Sequence, residues 1–310
     1  MLARVLVIAL NTYREAVRAR ILHGLFALAL ATTGYSLVVG AYTAKNQLRV
    51  VSDLGAAAVS LYAIIVAVVL GATSLYRELE LKTLFPILAR PVSRTEYLAG
   101  KYFGTLLLLL VFVAANTGVV LLATAAIAGR GLSTVLGLAL GSAAALGAVG
   151  YFQRRSITYL PMAWAAFLAV AGVGLSSGAA DDRRVLLGLG VLTMCEVGIV
   201  AGVATLFSSF SSPFLTAVFT FGLFLIGRSA DTLARLPVRV FGQFLHDLCA
   251  GLSKVAPNLM LYVPPRSLLT GEASGVPLWS YVASAALHAA SWSLLLLVLA
   301  SMIFRRRDFI

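Results

Sequence analysis

Glu196 is the ionisable residue whose position most restricts the chemistry open to this chain. It lies within an apolar run, Val185–Phe210, that carries no other charge. A carboxylate at such depth is costly and usually faces the interior of a helix bundle or a water-filled cavity. Two interpretations are open: a residue on a substrate or proton path, and a protonated or hydrogen-bonded contact between helices.

Patterns for nucleotide or metal chemistry are missing from the sequence. Nothing matches the phosphate-binding pattern GxxxxGK[ST], since Gly100-Lys101 lacks the upstream glycine and the following Ser or Thr. The three histidines are His23, His246 and His288. They are far apart and form no HExxH pattern or Cys/His cluster with metal-ligand spacing. We therefore predict that the chain is not an enzyme and has no metal or cofactor of its own.

A second group of carboxylates, Asp181-Asp182, is followed at once by Arg183-Arg184. Two adjacent carboxylates rarely face one site, whereas paired catalytic carboxyl groups are held apart across a substrate. We therefore interpret these four residues as a solvated turn whose charges neutralise one another.

The composition indicates that the elements carrying these residues lie in lipid rather than in water. Of the 310 residues, 60% are hydrophobic and only 12% are charged, against about 25% in ordinary soluble domains. Such a chain cannot cover its surface in water, so a soluble enzyme or free nucleic-acid-binding module is excluded. The formal charge of +12 then indicates the basic excess that membrane proteins carry on the cytoplasmic side.

Eight charge-poor apolar runs reach or approach the about 20 residues that a helix needs to cross a bilayer. They are Ile21–Thr43, Leu54–Tyr76, Tyr97–Ala128, Leu132–Phe152, Ile157–Gly178, Val185–Phe210, Phe214–Gly227 and Leu278–Phe304. None alternates with period two, so we predict an all-α polytopic transmembrane helix bundle with eight spans. The alternative is six spans, with Leu132–Phe152 and Ile157–Gly178 forming an intramembrane hairpin.

Basic residues in the short connections predict the orientation. The segment 77–101 and the terminal Arg305-Arg306-Arg307 should both be cytoplasmic, which places the N- and C-termini inside. Residues 1–20 have one polar and one apolar helical face, as expected of a helix at the cytoplasmic interface. Residues 228–276 form the extracytoplasmic loop, in which 240–255 predict a second amphipathic helix.

The cytoplasmic segment 77–95 has the features of a lever. Charges crowd its start, and a knob of apolar residues follows: Leu84, Phe85, Ile87 and Leu88. Beyond Pro91, Ser93 and Glu96 have the spacing of a capping box, so a helix should begin near Arg94 and run to Ala128. At about 1.5 Å per residue that helix exceeds the about 30 Å bilayer core. A lever in a chain without a nucleotide site predicts an energy source on another subunit.

The same segment resembles the permease subunits of type-2 ABC exporters, in particular the multicopper-enzyme-maturation subfamily. The matching stretches are Arg77-Glu78-x-Glu80-x-Lys82-Thr83, Arg90-Pro91-Val92-Ser93-Arg94, Tyr97-Leu98-x-Gly100-Lys101-Tyr102, Glu196 with Leu206-Phe207-Ser208-Ser209 and Ser212-Pro213, Leu225-Ile226-Gly227-Arg228, and Phe304-Arg305-Arg306-Arg307-Asp308-Phe309. Residues 132–184 depart from the family, whose members usually have six spans, as an inserted helical pair.

The resemblance implies a homodimer and a separate cytoplasmic ABC ATPase that binds ATP and Mg²⁺. It also implies that 77–90 is a coupling helix seated in a groove of that ATPase. The coupling residues expected on this basis are Arg77, Glu78, Glu80, Lys82, Thr83, Phe85, Pro91 and Arg94.

The sequence therefore predicts one permease domain over residues 1–310, in the bacterial cytoplasmic membrane, with lipid and the ATPase as partners and no nucleic acid. Its predicted function is the transmembrane subunit of an ATP-driven exporter, with Glu196 as a candidate path residue. Two other classes are open: a secondary transporter or channel, and a scaffold that passes ATPase motion to a periplasmic partner.

Overall fold

Every regular element in the described part of the chain is a helix. The computed structural model describes residues 2–43, 45–80, 93–270 and 277–306. Its α-helices are α1 Leu2–Val17, α2 Arg20–Ala41, α3 Gln47–Glu80, α4 Arg94–Ala125, α5 Leu132–Phe152, α6 Leu160–Leu175, α7 Ala180–Ser208, α8 Pro213–Arg228, α9 Ala230–Ala234, α10 Val238–Phe241, α11 Gln243–Val255, α12 Arg266–Thr270 and α13 Leu278–Arg306. Lipid offers the backbone no hydrogen-bond partners, and a helix satisfies its own.

Six helical segments of the described chain are long and apolar enough to cross a membrane. They are Arg20–Ala41, Gln47–Ser74, Arg94–Arg130, Leu132–Phe152, Ile157–Ser208 and Leu278–Arg305, with Pro213–Arg228 as a shorter apolar helix. The fifth segment contains both α6 and α7, separated by a 3₁₀ turn at Ser176–Ala179. The eight predicted runs thus fall on eight helices, α2 to α8 and α13.

Helix directions alternate along the chain. Gly118 of α4 and Ala128 of the π turn that follows it lie beside Leu168 and Gly178, so α6 and its 3₁₀ extension run parallel to α4. The chain then reverses, because Gly190 of α7 packs on Thr117 of α4. Contacts of the same kind show that α3, α5 and α13 run in the same direction as α7.

The start of α4 confirms the predicted cap. Ser93 accepts a hydrogen bond from the Glu96 backbone N–H, and the Glu96 side chain accepts one from the Ser93 backbone N–H. The helix begins at Arg94, as predicted, but its α-helical part ends at Ala125 and a π turn follows over Ala126–Arg130. The predicted end at Ala128 therefore falls within the π turn, three residues beyond the α-helical part, and Gly129 just after it has a positive φ of 105° that an α-helix cannot contain.

α1 packs along the first turns of α4. Gly104 leaves room for the Ala9 carbonyl oxygen, which a Cβ would approach to 2.5 Å. Glu15 forms an ion pair with Lys101 at 3.7 Å. Tyr13 is fully buried here, and burial, reinforced by the neighbouring Tyr159, raises its pKa to about 12. Whether α1 lies at the membrane interface stays a prediction of the sequence.

A second close backbone approach joins α4 to α6. A Cβ on Gly118 would lie 2.6 Å from the carbonyl carbon of Leu168, and one on Gly172 would lie 2.8 Å from the Gly118 carbonyl oxygen. Small residues that let helix backbones meet are a general means of packing in membranes. The α5–α6 pair is therefore attached to the bundle through α6.

Gly118→Ala should destabilise the fold by about 1–3 kcal/mol, as overpacking does. The new methyl group has only backbone to displace, whereas Gly141 of α5 has open space around it. The matched substitution Gly141→Ala should be neutral or stabilising, because alanine favours helices over glycine by about 1 kcal/mol. Thermal unfolding in one detergent measures both, and equal shifts in Tm would contradict the α4–α6 contact.

Candidate functional site

A cavity of about 340 Å³ lies between α3, α7, α8 and the irregular segment that precedes α12. Its walls are mainly apolar: Ala56, Leu61 and Ile64 of α3, Val185 and Leu189 of α7, Phe224 of α8, and Val263, Pro264 and Leu269. Its volume falls within the about 300–1,000 Å³ of small-molecule sites, which are also mostly apolar with a few placed polar groups.

An ion pair between α7 and α8 forms the floor of the cavity. Arg228 Nη1 lies 2.6 Å from Glu196 Oε1, and the Ser60 hydroxyl donates to Glu196 Oε2 at 3.4 Å. The Glu196 side chain is 1% exposed and the Arg228 side chain is 28% exposed. Arg228 and Ser60 line the cavity, whereas Glu196 lies behind them.

A second polar cluster forms the rim of the cavity around Arg266. Its guanidinium donates to Asp53 of α3 and to Asp182 of α7, and also to the Ser52 hydroxyl at 3.1 Å. Arg49 adds an ion pair to Asp53 at 3.6 Å. The rim thus joins α3, α7 and the start of α12 through charge-assisted hydrogen bonds, which are stronger than those between neutral groups.

Tyr262 closes the side of the cavity that faces α13. Its ring is 1% exposed, and its hydroxyl hydrogen-bonds the Ala285 carbonyl at 3.3 Å and lies 2.9 Å from His288 Nδ1. Burial raises the pKa of Tyr262 far above its ordinary value, so the hydroxyl stays a neutral hydrogen-bond donor. Within the described ranges no group of three or more His, Cys, Asp or Glu residues could hold a metal ion.

The placement of Glu196 favours the second of its two sequence interpretations without removing the first. The carboxylate is a buried contact between helices, and its partner lines a cavity. The sequence interpretation of Asp181-Asp182 as a self-neutralised solvated turn was wrong for Asp182. That residue lies in the first turn of α7, is 15% exposed, and pairs with Arg266.

Most of the expected coupling residues lie where the structure describes no side chain. Lys82, Thr83, Phe85 and Pro91 fall outside the described residues, and α3 includes the backbone of Arg77, Glu78 and Glu80. Arg94 is described, and it donates to the carbonyls of Phe304 at 3.2 Å and Arg305 at 3.0 Å. It therefore attaches the end of α13 to the start of α4, and coupling by these residues stays a prediction.

Sequence reasoning missed Arg228, Arg266 and Asp53 as members of a site. Arg228 was placed in the outer loop, although it ends a 16-residue apolar helix that is short for a span. A charge at the end of a short apolar run is the signal that could have paired it with the lone carboxylate of α7. Arg266 and Asp182 are 84 positions apart, and no pattern in the sequence connects them.

The model of the ABC-2 family transporter proteins matches residues 6–309 of this chain. The chain belongs to that family. It is thus an integral membrane protein and an ABC transporter permease, a transport component that is not itself catalytic. No curated protein matches the chain. Permeases of this family generally work with a cytoplasmic ATPase, often as dimers.

Arg228→Gln should destabilise the permease more than Glu196→Gln does. Removing one partner of a buried ion pair costs about 3–5 kcal/mol. Arg228 left alone can turn to the cavity, whereas Glu196 left alone has no exposed surface. The double substitution should recover much of the loss, since two amides can hydrogen-bond each other. Thermal unfolding of the set measures this, with Arg130→Gln, an exposed arginine bonded to Ser177, as the control. If the losses of stability from the two single substitutions simply added in the double variant, the ion pair would be contradicted.

Proposed function

We propose that this permease is the transmembrane subunit of a homodimeric exporter in the bacterial cytoplasmic membrane, driven by a separate ABC ATPase that binds ATP and Mg²⁺. The observation that carries the proposal is the cavity with its buried ion pair, in a chain that belongs to the ABC-2 family. The resemblance of segment 77–102 to the multicopper-enzyme-maturation permeases supports membership of that subfamily.

The proposed topology has eight spans with both termini in the cytoplasm. Its support is the alternation of helix direction from α2 to α8 and the return through α13. The connection between α5 and α6 reaches α1, where Arg14 lies 4.9 Å from the centre of the Tyr159 ring and donates to its hydroxyl. A hairpin that turned back in the middle of the bundle would not reach the level of α1. The contact therefore favours two complete crossings by the inserted pair.

In this topology the segment 77–95 joins the two helices best placed to transmit force. α3 supplies Ser60 to the floor of the cavity and Asp53 to its rim, and α4 packs against α1, α6 and α7. When ATP closes the ATPase subunits, the coupling segment would move the cytoplasmic ends of α3 and α4. A shift of α3 along α7 would break its polar contacts at floor and rim together, which opens the cavity outward.

Phe85→Asp should uncouple ATP hydrolysis from transport. A charge in the apolar knob would be buried without a partner in the proposed ATPase groove. Phe244→Asp is the matched control, because Phe244 is 81% exposed on α11, which this topology places on the other side of the membrane. The measurement is stimulation of the ATPase by the permease in vesicles. Full stimulation of the ATPase by the Phe85→Asp permease would contradict the assignment of the coupling segment. Loss of stimulation in the Phe244→Asp control alone would contradict it as well.

A cysteine at position 153 should be labelled from the cytoplasmic side. Gln153 joins α5 to the following 3₁₀ turn and is exposed. The test uses Gln153→Cys in a chain without Cys195 and Cys249, with an impermeant maleimide added to right-side-out or inverted vesicles. Labelling confined to inverted vesicles is expected. Labelling from outside would reject the eight-span topology, and labelling from neither side would favour the intramembrane hairpin.

A further inference from the structure

The guanidinium of Arg228 has an open side that faces the cavity. Its contact with Glu196 uses Nη1 alone, at 2.6 Å. No described residue accepts a hydrogen bond from Nη2 or Nε, and the side chain is 28% exposed on the cavity wall. Nη2 and Nε form the planar fork with which arginine binds carboxylate, phosphate or sulfonate through two parallel bonds.

Arg266, the other arginine of the cavity, is paired with two carboxylates by contrast. Its two terminal nitrogens are bonded to Asp53, Asp182 and Ser52. Two carboxylates already neutralise this guanidinium, so the rim has little affinity left for an anion. The cavity therefore offers an unfilled cationic group at its floor, and Glu196, which balances that charge, is hidden from any ligand.

Apolar surface extends from the floor towards the rim. Phe224 lies beside Arg228, with the guanidinium carbon 5.8 Å from the ring centre. Ala56 and Ala57 of α3 and Leu189 of α7 continue the wall between Ser60 and the rim. A ligand that fills this space must present hydrocarbon to the walls and a negative group to the floor. A cation would find Asp53 of the rim already paired with Arg49 and Arg266, and a neutral polar ligand would leave the fork without a charged acceptor.

We propose that the cavity binds a single-chain amphiphile whose anionic head group pairs with Nη2 and Nε of Arg228. Glu196 is the internal anion that shares the guanidinium with the head group and so limits the affinity. That this amphiphile is cargo rests on the proposed function, whereas the binding site itself depends only on the cavity. The volume of about 340 Å³ suits one chain better than the two chains of a phospholipid.

The test uses the full-length permease alone in nanodiscs of phosphatidylcholine. Photoreactive twelve-carbon probes that differ only in the head group, a carboxylate, a trimethylammonium and an alcohol, are cross-linked and mapped by mass spectrometry. The carboxylate should label Phe224, Leu61 and Val263 in preference to the other two probes, and excess dodecanoate should suppress this labelling. Equal labelling by the three probes would overturn the proposal. Suppression by phosphatidylglycerol at equal concentration would also overturn it, because the site would then bind bulk lipid head groups.

Matched variants separate charge recognition from folding. Glu196→Gln should raise labelling by the carboxylate probe, since the head group no longer shares the guanidinium. Glu196→Gln combined with Arg228→Gln keeps a neutral hydrogen-bonded pair and should lower it about tenfold, as the loss of charged hydrogen bonds does. Arg228→Lys keeps the charge without the fork, so labelling of this variant by the carboxylate probe should lie between the labelling of the other two variants. A double variant that retained the preference for the carboxylate would overturn the assignment to Arg228.

The outcome is independent of the coupling experiment. Selective labelling without any stimulation of an ATPase would support the site and remove the exporter function. Normal coupling with unselective labelling would leave the exporter function and overturn the proposed ligand.

Discussion

The ion pair between Arg228 and Glu196 is the interaction on which the rest of the cavity depends. The last residue of α8, Arg228, reaches the carboxylate near the middle of α7, and this pairing offsets the cost of placing either charge in a low-dielectric interior. The chain is thereby held inside the bundle at that level. Beyond α11, which has no buried residue, the chain packs back onto the bundle at Leu259 and Tyr262.

The return of the chain leaves irregular backbone deep in the protein. Such backbone is tolerated at membrane depth only where protein buries it or where it lines a cavity. Both conditions are met: the Pro257 carbonyl packs against Gly227, where a Cβ would lie 2.6 Å away, and Tyr262 bonds α13. Arg266 then ties the end of the segment to α3 and α7. The cavity is the space that this irregular segment encloses without filling.

Sequence alone predicts the helices far better than their contacts. The apolar runs predict α2 to α8 and α13 because twenty or so apolar residues leave no other structure in lipid, and the cap at Ser93 follows from local spacing. The site lay beyond reach because its pairs join residues 32 and 84 positions apart, Arg228 with Glu196 and Arg266 with Asp182. The charges at the start of α7 also led to a wrong prediction, because Asp182 lies next to Arg183 and Arg184 and was interpreted as neutralised by them.

α3 connects the two ends of the permease physically. Its 34 residues span about 50 Å at 1.5 Å per residue, from the cavity rim to the segment predicted to meet the ATPase. Its polar links to the cavity are Ser60 at the floor and Ser52 and Asp53 at the rim, and its apolar residues Ala56, Leu61 and Ile64 line the wall. Between the cavity and segment 77–95, Gly71 packs closely on Ala204 of α7. In the proposed mechanism α3, held by polar contacts at one end and by this small-residue contact further along, would move relative to α7. Its polar contacts would then break as a set, so that motion at the end of α3 next to segment 77–95 would change the cavity in one step.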